Sequence, residues 1–380
     1  MFYFLSTLRK PRRRGAVSVL AALMVIVLAA CLALAIDVGY LCLVRTQAQV
    51  AADASALAAG QSILTEDRLR GYFQRVYDSA RSVAAQYAGL HRLGPANANL
   101  QVDEDVIIGR LDDPTDLRAT LDTSYPATYN ALAVIVRASE ERARQCPLFF
   151  ARVFGIDGRD VQATATVAYA DRIVGFRTSS RNPTTSLLPF SAKVESWRDL
   201  LKNGLEDNWT YNPKDRTVAA GPDGIPELKL FPIDTGAAGN WGTVDIGCDN
   251  NSTADLRRQI RDGVNADDLA EYGGVLTLDK TTGSLTLNGD TGISAGMKDA
   301  MVDIVGKGRT ILLHRSVEGP GNNANYEVVG FAGIRVVDVK MTGNQKYILL
   351  QPAYVIDPTA AFATWSSESY FVTQPLRLVR

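Results

Sequence analysis

The sequence predicts an α+β protein hung from one long N-terminal helix, with a small sheet beside that helix and a larger, mainly antiparallel α+β region after it. Three observations predict this. Residues 16–36 carry no charge and follow Arg9, Lys10, Arg12, Arg13 and Arg14. Residues 40–64 hold small side chains at helical spacing, with no proline. Beyond residue 100, short β-branched runs alternate with turn-rich stretches.

The uncharged run organises the rest. At about 1.5 Å per helical residue it reaches roughly 31 Å, the thickness of a bilayer's hydrocarbon core. Only a helix satisfies every backbone group there, so residues 16–36 are read as a transmembrane helix. No acidic residue comes before Asp37, so the basic tail, residues 1–15, is expected in the cytoplasm and the bulk of the chain outside it. A cleavable signal has a shorter apolar region of about 7 to 15 residues. Leu28, Ala29, Ala30 and Cys31 spell a lipoprotein cleavage pattern, yet the sequence after Cys31 stays apolar where a lipoprotein turns polar. A retained single-pass anchor is the reading taken.

With 380 residues, the chain has room for two or three domains beyond the anchor at about 150 residues each. Five of the 40 basic residues lie in the first fifteen positions, which leaves 35 basic against 41 acidic residues for the exported part. That balance excludes a basic nucleic-acid surface. Cys31 and Cys42 fall in or beside the membrane, so Cys146 and Cys248 are the exported candidates for a bridge. With only His91 and His314, a histidine-built zinc centre is excluded.

In chain order, Ala48, Ala52, Ser55 and Ala59 form one small-residue face of a helix that continues past the membrane, a face that lets another helix approach closely. Arg45, Gln49 and Asp53 lie opposite. After a break near Gly60, residues 66–91 read as helix, with Leu69, Phe73, Val76, Tyr77, Ala80, Val83, Ala84 and Tyr87 in register. Residues 105–111 and 131–137 read as strands, 147–155 as a short apolar helix, and 161–174 as one long strand. Polar residues 177–185 mark the main boundary, which separates a helical stalk and small domain (37–177) from an exported α+β domain (183–380). In that second part, 197–208 reads as helix, Ser252 caps a helix to Arg261, another helix spans 265–272, and 295–305 is helical. Residues 275–278 and 284–287 read as a hairpin, and 228–233, 243–247, 310–314, 326–340 and 346–354 as strands.

The order Arg14-Gly15, an uncharged span, Asp37-Val38-Gly39-Tyr40, Arg45, Gln47 and the run from Ala51-Ala52-Asp53-Ala54-Ser55 to Ala59-Gly60 resembles the N-terminal segment of TadG-like proteins of Flp, or tight-adherence, pilus-assembly systems in bacteria. The resemblance covers roughly residues 12 to 64, and the sheet that follows is compatible with related pseudopilin-like proteins. It implies an accessory or structural subunit in the bacterial cytoplasmic membrane, periplasmic or cell-surface in its bulk, whose partners are the lipid bilayer and other pilus-assembly or envelope proteins. A second copy of the chain, through the alanine-rich helix, is a further candidate partner. The residues assigned to anchoring and partner-helix packing are Ala16, Ile36, Asp37, Gly39, Ala48, Ala52, Asp53, Ser55 and Ala59. Two features depart from the family. The fifth residue after Gly15 is Leu20, where pilins and pseudopilins of the system carry glutamate, and no Asp-x-Ser-x-Ser metal motif is present.

Gly292-Ile293-Ser294-Ala295-Gly296 matches the nucleophile elbow G-x-S-x-G, which makes Ser294 with His314 the alternative, a membrane-tethered serine hydrolase. Only His314 follows it, so a glycine-flexed helix entry capped by Ser294 explains it better. Asp234-Thr235-Gly236 and Asp290-Thr291-Gly292 copy the aspartic-protease triplet but lie too close together for two lobes. Asp223 and Asp245 lack the spaced ligands of a calcium loop. Neither cofactor nor metal is expected. A metal-independent adhesin is the third reading.

Overall fold

The computed structural model describes residues 14–142, 144–204, 206–230, 241–247, 252–290, 295–319, 323–343, 346–365 and 368–379. Its first element, α1, runs unbroken over Arg14–Gln61, 48 residues. No proline interrupts it, and alanine and leucine, the strongest helix formers, dominate its length. The expected helix over 66–91 is instead two: α2, Glu66–Leu69, and α3, Phe73–Gly89. They part at Gly71, whose φ of 78° is left-handed. Val76, Tyr77, Ala80, Ala84 and Ala88 are the buried face of α3, and Tyr87 is exposed.

Strands β1 (Val106–Gly109), β2 (Ala131–Ala138) and β5 (Val161–Ala168) pair antiparallel in one sheet. Between β2 and β5 the chain leaves the sheet and returns through a small hairpin, β3 (Cys146–Pro147) with β4 (Gly158–Arg159). The second half of α1 and α3 pack on this sheet. Val44, Ala48, Ala52, Ala56 and Ala59 meet Leu132, Val134, Ala163, Ala165 and Val167 in one core.

The strand expected over 161–174 ends at Ala168, and the next, β6, spans Ile173–Arg177. Between them Asp171 pairs with Arg110 at 2.9 Å, which turns the chain out of the first sheet. β6 then pairs with β9 (Val275–Thr277).

The second half is built on a closed ring of five strands. β7 (Leu187–Lys193) lies between β8 (Trp241–Val244) and, in parallel, β11 (Gly308–Glu318). β8 pairs with β10 (Leu285–Asp290), and β10 with β12 (Ala324–Lys340). β12, 17 residues long, carries β11 along one edge, which closes the ring, and shares the other edge between β10 and β13 (Tyr347–Pro352). Leu228–Leu230 extends the sheet beyond β13. Closure removes free edges, the liability of an open antiparallel sheet. Helices α4 (Val194–Asn203) and α5 (Thr253–Asp262) and the short α6 (Lys298–Val302) bury Trp197, Leu256, Ile260 and Met301 against Phe190, Ile311 and Ile334. The cap expected for α5 is made, since Ser252 Oγ accepts the Asp255 N–H at 3.2 Å. The expected helix over 265–272 is reduced to a single 3₁₀ turn, Ala270–Tyr272. The hairpin expected from 275–287 keeps its turn, with the Asp279 N–H on the Ser284 carbonyl at 3.0 Å. Its arms part, however: β9 joins β6 and β10 joins the ring, because longer strands offer each more ladder than they offer each other.

The two halves interlock. The last strand, Arg377–Leu378, returns to pair with β5 in the first sheet. Leu376 and Val167 press on Gly60, where an added Cβ would come within 2.7 and 2.9 Å of their methyl groups and force them to shift. Along α2, Glu66 accepts from Arg335 of β12 at 2.8 Å, and the Arg335 guanidinium stacks on Tyr211 at 3.3 Å. Arg70 donates to the backbone carbonyl of Asp223 and forms an ion pair with its carboxylate at 3.6 Å, and that carboxylate also accepts from Gln351. Asp223, considered above for calcium, thus ties the halves together.

Candidate membrane-proximal assembly site

The apolar first half of α1 is wholly unburied by protein, and among the described residues this is the one helix long and apolar enough to cross a membrane. Val17, Leu20, Leu23, Ile26, Leu28, Leu32 and Ile36 are exposed around its circumference. A helix apolar on all sides and covered by nothing suits a lipid environment, since in water it would lack an amphipathic face to bury. Ala16 lies on this helix, but its side chain falls outside the described residues, as do residues 1–13.

The first polar side chain after the apolar run is Asp37, and the fold buries it to 4 % exposure. Its carboxylate accepts the backbone N–H groups of Phe149 (2.8 Å), Phe150 (3.1 and 3.3 Å) and Ala151 (2.8 Å). These donors open the 3₁₀ turn Ala151–Phe154, in the tip of the β3–β4 hairpin. The first N–H groups of a helical turn have no internal partner, and an anion satisfies them best. One turn on, Tyr40 meets the Phe149 ring edge-on at 5.1 Å. The turn ends at Gly155 with φ of 76°. A short apolar helix was expected over 147–155, but its attachment to Asp37, 112 residues away in sequence, was not. The only signal was two separately notable stretches, an acid at the end of a span and an apolar run without a carboxylate.

The alanine face is occupied from within. Ala48, Ala52, Ser55 and Ala59 are fully buried against α3, β2 and β5. Ser55 returns its hydroxyl to the Ala51 carbonyl at 2.6 Å, the way a helix absorbs a hydroxyl with no outside partner. The face expected to take a partner helix or a second copy is covered here by the same chain. The small residues do admit close packing, but the same chain's sheet and helix fill the space. Asp53 is half-buried and accepts from Gln49 at 2.7 Å, and Gln49 also reaches the Thr164 carbonyl of β5 at 3.4 Å. Ile36 and Gly39 stay outward, with nothing near Gly39. Val38, Leu43 and Val50 are also exposed apolar residues of α1.

The alternative catalytic pair lies partly outside the described residues. Ser294 lies outside them, as do the triplet at 234–236 and residues 291 and 292. His314 Nδ1 instead shares a hydrogen bond with Ser191 Oγ at 2.8 Å, fully buried between β7 and β11 beneath Tyr326. Cys146 is a buried free thiol, raised above its ordinary pKa by desolvation, and Cys248 lies outside the described residues.

Two family comparisons match this same region. The Tad family, described as Flp pilus-assembly TadE/G-like, matches residues 15–62, and the Tad_C family, described as Tad-like Flp pilus-assembly, matches residues 44–166. Residues 15–62 are thus similar to TadE/G-like proteins, and residues 44–166 to Tad-like pilus-assembly proteins. The first match covers the bare span and the alanine face; the second starts at Val44, the first helix residue in the core, and ends in β5. The matched region is thus one physical unit, the apolar helix plus the sheet seated on its continuation. No curated protein and no solved structure matches the chain.

Proposed function

We propose that this TadG-like chain is a membrane-anchored accessory subunit of a Flp-type pilus or related envelope assembly, with residues 1–15 cytoplasmic and the bulk exported. It acts through protein contacts. The observation that carries this reading is the single helix α1, bare over its apolar half and buried by its own sheet over the other. Because no loop separates the two halves, the folded part is held at a fixed height and orientation over the bilayer. A subunit that positions other components needs such rigidity. A flexible tether would supply reach without orientation. The acidic balance of the exported part and the Tad matches are consistent with this role.

The test is topology together with partnership. In cells expressing the full chain, a membrane-impermeant thiol reagent should fail to label a cysteine placed at Ser6 and should label one placed at Leu117. Co-purification from native membranes after crosslinking should recover other components of the pilus system. Labelling with the opposite sidedness, or recovery of the chain in the soluble fraction, would sink the reading. Intact-mass analysis of the same material reads the N-terminus, and loss of residues through Gly15 would make the chain a processed filament subunit despite Leu20.

A further inference from the structure

We propose that the tip of the β3–β4 hairpin is a lipid-contacting wedge, seated at the headgroup–acyl boundary on the exported face of the bilayer that α1 spans. This rests on the reading that α1 spans the membrane. Four observations lead to it.

The first is height. Asp37 directly follows the apolar run, about 1.5 Å along the axis from Ile36. Its carboxylate fixes the backbone of Phe149, Phe150 and Ala151, so the tip cannot lie elsewhere than at the level where the span ends. The second is composition. Phe149, Phe150, Val153, Phe154 and Ile156 are 37 to 84 % exposed, within eight residues. A cluster of large apolar groups with no protein cover marks an interaction surface.

The third is polarity along the sheet. β2 and β5 run the length of the module, with Ala138 beside Val161 at one end and Ala131 beside Ala168 at the other. Gln49 sits beside Thr164 and Gly60 beside Val167, so the Ala138 end faces the membrane. The apolar tip grows from that end. At the far end, Leu117 is flanked by Asp113, Asp116 and Arg118. The fourth is charge. Residues 146–156 contain no carboxylate, and their one charged group is the exposed Arg152, which suits a phospholipid headgroup layer. A protein partner would explain exposure alone. It would not explain why the exposed cluster lies at the height of the membrane surface. Asp37 acts here as a latch: the hairpin supplies the donors that let a carboxylate sit beside lipid, and the carboxylate in turn holds the hairpin down.

Depth measurement in vesicles tests the proposal. Full-length chains carrying Phe154→Trp, Leu117→Trp or Ile26→Trp are reconstituted into phosphatidylethanolamine and phosphatidylglycerol vesicles. These contain lipids brominated either high or low on the acyl chain, and the emission of the unsubstituted protein, with its four tryptophans, is subtracted. Phe154 makes no core contact to lose, so the variant folds. The added Phe154→Trp emission should shift to the blue and fall roughly twofold or more with shallow bromines, and less with deep ones, as expected for interfacial burial. Leu117→Trp should stay unquenched. Ile26→Trp should be quenched most by deep bromines. If Ile26→Trp is quenched and Phe154→Trp behaves like Leu117→Trp, the wedge is refuted while the anchor stands. If Ile26→Trp is unquenched, the spanning reading fails and the wedge with it.

Discussion

Replacing Asp37 by alanine should release the hairpin tip without unfolding the module around it. The carboxylate holds three backbone donors, two of them at 2.8 Å and the third shared between both oxygens at 3.1 and 3.3 Å. Hydrogen bonds to a charged acceptor are stronger than neutral ones, and each shifts a local opening equilibrium by about tenfold. Counting only the two short bonds as fully effective gives an opening roughly 100-fold more frequent in Asp37→Ala. The core under the sheet shares no side chain with this contact, so β2 and β5 should keep their protection. Hydrogen exchange by mass spectrometry on the full chain in lipid nanodiscs reads both regions in one experiment. Peptides covering 148–157 should exchange faster by that factor, and peptides covering 131–138 and 161–168 should not change. Exchange within about twofold of the parent at 148–157 would refute the latch, because three charge-assisted bonds cannot be lost so cheaply. Asp37→Asn, which keeps one acceptor oxygen, should fall between.

Other consequences are equally direct. Ala52→Leu inserts volume into a filled core and should destabilise the chain by about 1–3 kcal/mol in thermal unfolding without changing its oligomeric state; a change in assembly at unaltered stability would restore the partner-helix reading. Asp105 is fully buried between Arg142 and Arg137, so Asp105→Ala leaves Arg142 only its pairing with the exposed Glu104 and should cost about 3 kcal/mol, visible as a lowered Tm. Tyr169 and Tyr354 are each pushed up to about 12, chiefly by burial that disfavours the phenolate. Since their folded values lie above the unfolded value near 10, the stability they contribute is complete below pH 10 and lost as pH rises toward about 12. Thermal unfolding followed between pH 9 and 12 should therefore show Tm falling across that window, and a smaller fall in Tyr169→Phe.

Much of the fold was legible because local rules governed it. The span follows from twenty-one uncharged positions, and its continuation from alanine at helical spacing; β1, β2 and the strands β11 to β13 follow from β-branched runs bounded by turns. Misreadings fall where a partner distant in sequence outweighed the local pattern. Residues 161–174 alternate as one strand would, yet Asp171 meets Arg110 and the chain changes sheets. Residues 275–287 carry a hairpin's turn, yet each arm has a longer strand to join. The alanine face signalled close packing correctly, but small side chains carry no record of which surface approaches them.

The sequence alone thus determined the long apolar helix and its continuation, the likeness of roughly residues 12 to 64 to TadG-like proteins, and the α+β, mainly antiparallel character of the rest. Each rests on the order of residues within a few turns of chain. Only tertiary structure decided what covers the alanine face, that His314 bonds Ser191, that the last strand returns to the first sheet, and that Asp37 holds the apolar hairpin at the end of the span. Three of those contacts join groups more than 100 residues apart, and the cover of the alanine face draws on strands as well as the nearer α3. Their free energy comes from excluding water between surfaces whose meeting no local pattern encodes.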